Sequence, residues 1–120
     1  MGPWLIDAND RSELESWLAG GPSADEPACV MFVRGDGPGV RGFLPNALDA
    51  AKRDPRRVVV WVKDRTLLGD AKVAALFGES ETILAVVLSA PGNVGGWVTR
   101  DRLGVEDAAF AFDQAEEARA

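Results

Sequence analysis

Short apolar runs alternate with segments of helical period along the chain. Trp4-Leu5-Ile6 is followed by Asp10 and, three residues later, Glu13, a spacing that resembles a capping box and predicts a helix start. Leu14, Trp17 and Leu18 then share one stripe of that helix, and Gly20-Gly21-Pro22 stops it, leaving a first loop over 19–27. Cys29 to Val33 is a continuous apolar run between Pro27 and Gly35, the pattern of a strand buried on both faces. After a loop over Arg34–Gly39, residues Phe43, Leu44, Ala47, Leu48 and Ala51 return at helical spacing until Asp54-Pro55. Pro45 falls inside this segment and should kink it or lie in its first turns.

Val58 to Val62 is a β-branched run too short for an ordinary helix and reads as a second buried strand. A helix-bearing connection of about 24 residues makes it the parallel partner of Cys29–Val33. Val73, Ala74, Leu76 and Phe77 form a short helix closed by Gly78, and Thr82–Leu88 is a further strand. The turn Ala90-Pro91-Gly92-Asn93 leads to a return strand at Gly96–Thr99, and Ala108–Arg119 closes the chain as a helix with Phe112 and Ala115 inward. The order β-α-β-α-β-α-β-β-α describes an α/β fold: a mixed central sheet with helices on both faces, in one domain over residues 1–120.

Composition narrows the chemistry. The 120 residues are 47% hydrophobic and 27% charged, the balance of a globular chain with one core. A net charge of −6 disfavours nucleic acid and anionic membranes and favours basic or neutral partners. Cys29 is the only cysteine and there is no histidine, which excludes an internal disulfide, Cys/His zinc sites and His-based triads. No metal or cofactor is expected. No apolar run approaches the roughly 20 residues of a membrane-spanning helix, and Met1-Gly2-Pro3-Trp4 lacks the regions of a secretion signal, so a cytoplasmic location is expected.

The order of elements resembles a complete thioredoxin fold over essentially the whole chain. Val30-Met31-Phe32-Val33 resembles the strand that leads to the thioredoxin active site, and Asp36-Gly37-Pro38-Gly39 stands where Cys-Gly-Pro-Cys would be. Pro45 matches the proline of the following helix, with one extra residue in between. Three departures concern chemistry: neither cysteine position holds a thiol, no proline occurs near Glu81-Thr82 where the family has its cis-proline, and Met31 replaces the buried acid. The resemblance therefore implies a fold kept for binding rather than dithiol exchange, and no enzymatic activity. A narrower resemblance, to the thioredoxin-like hydrogenase-assembly chaperones of the HyaE/HupG type, rests on acidic character, Trp17-Leu18 and Phe77-Gly78. It implies binding of the twin-arginine signal peptide of a hydrogenase small subunit before export.

Two groups are thus candidates for partner binding: Asp36, Gly37, Pro38 and Gly39 in the loop, and Glu106, Asp107, Asp113, Glu116 and Glu117 on the last helix, an acidic set suited to a basic peptide. The plain alternative for the second group is a solvated helix face. Gly37-x-Gly39-x-x-Gly42, with Asp64 further on, also matches the dinucleotide fingerprint and suggests a nucleotide-binding regulatory domain as the rival function. Against it, a strand and helix precede the motif, Asp36 would repel phosphate, and the chain is short for a two-half Rossmann domain. Arg34-Gly35-Asp36 matches an adhesion tripeptide by chance, and Cys29 reads as a small buried hydrophobe. Trp61 and Trp97 suit a core or sheet face, and an exposed Trp would be an anchor for a partner.

Overall fold

A computed structural model describes residues 5–7, 11–19, 29–63, 71–78 and 82–119. Among these the elements run β1 (Leu5–Asp7), α1 (Arg11–Leu18), β2 (Cys29–Arg34), α2 (Pro38–Ala51), β3 (Arg57–Val62), α3 (Ala71–Phe77), β4 (Ile83–Ala90), β5 (Asn93–Thr99) and α4 (Val105–Arg119). Trp4, Asp10, Gly20–Pro27, Asp64 and Glu81, which the sequence reading used, lie outside the described residues. The strands form one mixed sheet in the order β1-β3-β2-β4-β5. β2 runs parallel to β3, with Val30 opposite Val58 and Phe32 opposite Val60, and antiparallel to β4.

Side-chain alternation along the central strands divides the core between the two faces of the sheet. Met31, Val33, Val59, Ala85 and Val87 pack with Phe43 and Ala47 of α2 and with Ala111, Phe112 and Ala115 of α4. Val30, Phe32, Val58, Val60, Val86 and Leu88 point the other way, toward Leu14 of α1 and Leu76 and Phe77 of α3. Both faces are covered, which is why the strands read as unbroken apolar runs.

Besides shifts of one or two residues at the ends of β2, β3 and β4, three boundaries differ from the sequence expectation, each for a local reason. α2 starts at Pro38 instead of after Gly39, because proline's fixed φ and missing N–H suit the first helical position. Pro45 consequently sits well inside α2 on its exposed side, where it withholds an N–H from the carbonyl one turn back. β5 starts at Asn93, after Gly92 turns the chain with φ +76°; Gly95 and Gly96 carry no side chains to reveal its alternation. α4 starts at Val105 because the Asp107 carboxylate reaches back 3.0 Å to accept from the Gly104 N–H, capping the first turn.

α4 lies unusually close to β5. A Cβ on Gly96 would fall 2.4 Å from the Ala111 carbonyl oxygen, and one on Gly95 would fall 2.8 Å from the Ala115 Cα. The paired glycines therefore set the helix-to-sheet distance, and the bulge that places both of them under α4 lies between the Gly96–Val87 and Val94–Leu88 pairs.

Candidate functional site

The loop after β2 is tied down by the end of β3. Gly35 turns the chain with φ +98°, its N–H donates to the Val62 carbonyl at 3.0 Å, and its carbonyl accepts from the Trp61 indole at 2.7 Å. Arg41 and Lys63 approach the Trp61 ring at 5.8 and 4.8 Å, a cationic flank around the indole. Asp36 pairs with Arg41 at 2.8 Å, both partly open to solvent, so the pair adds little stability. Gly37 caps α2 without a side-chain hydrogen bond.

A cavity of about 450 Å³ opens beside this loop. Val40, Leu84 and Leu103 give it an apolar wall, Gly37, Pro38 and Gly39 form one lip, and Arg34 and Arg100 bring positive charge. Every charged residue in the lining is an arginine, in a chain whose net charge is −6. Backbone and side-chain bonds hold the far wall: the Arg100 N–H donates to the Thr82 carbonyl at 2.9 Å, and Asn46 of α2 donates to the Leu103 carbonyl at 2.8 Å. Arg34 lies over the Phe77 ring at 4.5 Å, which fixes it half-buried at the end of β2. Asp36 stands just outside the lining, turned toward Arg41.

The second candidate group is occupied mainly by intramolecular duties. Arg57, 6% exposed at the start of β3, is the residue that sequence reasoning missed. Its Nε and one Nη donate to the Glu116 carboxylate at 2.8 and 3.2 Å, the same Nη donates to Asp113 at 2.8 Å, and the other Nη donates to the Ala50 carbonyl at 3.2 Å. Its guanidinium also lies 4.9 Å from the Phe112 ring centre. Burial opposes the charge, but the bonds and attraction from Glu116 and Asp113 outweigh it and raise the Arg57 pKa. Glu106 pairs with Arg53 at 2.6 Å, and that hydrogen bond followed by charge attraction lowers its pKa. Asp107 caps α4. Four of the five acids thus hold a bond within the chain, although Glu106 and Asp113 remain exposed to solvent, and Glu117 alone of the five has no such bond among the described residues. The only sequence signal of the Arg57 cluster was a single arginine at the head of a β-branched run, far from its acids in the chain.

The glycines of the apparent dinucleotide fingerprint have open space around them. Nothing lies within 4 Å of a Cβ built on Gly37, Gly39 or Gly42, and none of the three has positive φ. The third glycine of a true fingerprint permits close helix-to-strand packing; Gly42 faces solvent, so that requirement is absent here. Cys29 is buried at 3% exposure and is in no disulfide. Trp61 is half-buried against the loop, whereas Trp97 on β5 is 55% exposed and shares a groove with Phe110 of α4, which is 61% exposed.

No protein-family model matches the chain, and no curated protein matches it. No helix among the described residues is long and apolar enough to cross a membrane.

Proposed function

We propose that the protein is a non-catalytic, thioredoxin-like binding protein that holds a segment of a partner protein in the cavity beside Asp36–Gly39. The observation that carries this reading is the cavity itself: an apolar wall with two arginines, next to the loop where a thioredoxin has its dithiol. The strand order β1-β3-β2-β4-β5 supports the fold half of the proposal. With one buried thiol and no imidazole in the sequence, the chain has neither a dithiol nor a histidine base to offer a bound segment.

The lining favours a segment that carries a carboxylate beside apolar side chains, because the exposed Arg100 meets it with positive charge and would repel arginines. The twin-arginine peptide implied by the hydrogenase-chaperone resemblance would have to dock on α4, where Arg53 and Arg57 already hold three of the five acids. Fluorescence anisotropy with two labelled peptides separates these ligands: one acidic and leucine-rich, one twin-arginine. The acidic peptide should bind, and Arg100→Glu should weaken it roughly tenfold, about 1.4 kcal/mol. Equal affinity in the variant, or binding of the twin-arginine peptide alone, would contradict the groove proposal.

A further inference from the structure

We propose that the groove between β5 and α4 is a two-fold interface with a second copy of this chain. This stands apart from the peptide-binding cavity. Trp97 and Phe110 line a groove of about 420 Å³ and are the most exposed of the large hydrophobic side chains among the described residues. Aromatic rings of this size leave water favourably and cluster at the centres of interfaces. β5 is also the last strand of the sheet, so its outer backbone groups have no neighbouring strand among those described. Its register shifts near both ends, leaving Gly96, Trp97 and Val98 as the regular stretch, so side chains rather than a long backbone ladder must carry the contact.

Charge selects the occupant. α4 runs antiparallel to β5, since Gly96 lies against Ala111 and Gly95 against Ala115. Arg102, which lines the groove beside the Asp107 carboxylate already engaged by the Gly104 N–H, therefore marks one end, and Glu117, roughly 10 Å along α4 from Phe110 by helical rise, marks the other. Both are exposed, and no ion pair takes them up among the described residues. A two-fold axis through the aromatics sets Arg102 against the partner's Glu117 at both ends. A partner of uniform charge would satisfy only one end; a second copy satisfies both. A standard interface buries about 800 Å² per partner, roughly an eighth of the 6548 Å² surface, and a contact built on two aromatics and a pair of charges per copy is expected to have a Kd in the micromolar range.

Sedimentation velocity of the full chain across a concentration series, with circular dichroism as a fold control, tests the interface. The wild type should be largely dimeric at about 100 µM, well above a micromolar Kd. Trp97→Ser, Arg102→Glu and Glu117→Lys should each raise the Kd at least tenfold, and Arg102→Glu combined with Glu117→Lys should restore it. A monomer at every concentration, a dimer indifferent to Trp97→Ser, or a double variant as weak as the singles would overturn the proposal.

Discussion

Arg57 shows how one buried charge can stand in for several weak surface contacts. Its guanidinium joins β3, the end of α2 and the last turns of α4 through Glu116, Asp113 and the Ala50 carbonyl. Removing an acid and removing the arginine should therefore differ. Glu116→Ala leaves a desolvated cation with half its partners and should cost about 2–3 kcal/mol in urea unfolding. Arg57→Met removes the charge along with its desolvation penalty and should fall within about 1 kcal/mol of the wild type. Equal losses would mean that the cluster is held by packing alone. The same geometry explains why neutralising the whole acidic face would be a poor probe of binding, since it would loosen α4 as well.

At the scale of elements, glycines that look alike in sequence do opposite work. Gly96 admits the backbone of α4, whereas Gly42 sits in a solvent-facing helical position with open space where a Cβ would go. Gly96→Ala should destabilise by about 3 kcal/mol, since the Ala111 carbonyl would have to move. Gly42→Ala should stabilise by about 0.5–1 kcal/mol through helix propensity. Thermal unfolding of the two variants checks both signs, and a neutral Gly96→Ala would contradict the close approach of α4. Such differences also mark how far the sequence could be read. The runs Cys29–Val33 and Val58–Val62 announced buried strands because both of their faces are covered, and Leu14, Phe43 and Phe112 announced inward helix faces. The ends of α2, β5 and α4 were less legible because Pro38, Gly95, Gly96 and Gly104 carry no periodic signal, only local geometry. In the candidate site, Gly37–Gly39 did fall beside a cavity, but the partners of Asp113 and Glu116 were hidden by the long chain separation from Arg57.

For the molecule as a whole, charge is sorted by location. Three acids of α4, Glu106, Asp113 and Glu116, pair with Arg53 and Arg57, while Arg34 and Arg100 stand at the cavity by the β2–α2 loop. Among the described residues, an acidic chain thereby presents a basic, partly apolar recess, and the proposed function requires a partner segment to sit there. The most direct measurement is amide NMR of the ¹⁵N-labelled protein titrated with the acidic, leucine-rich peptide. Saturable shifts should gather at Gly35, Gly39, Val40, Leu84 and Arg100, with α4 beyond Phe112 little changed. Shifts confined to the Glu116–Glu117 end of α4, or no saturable shifts at all, would contradict it.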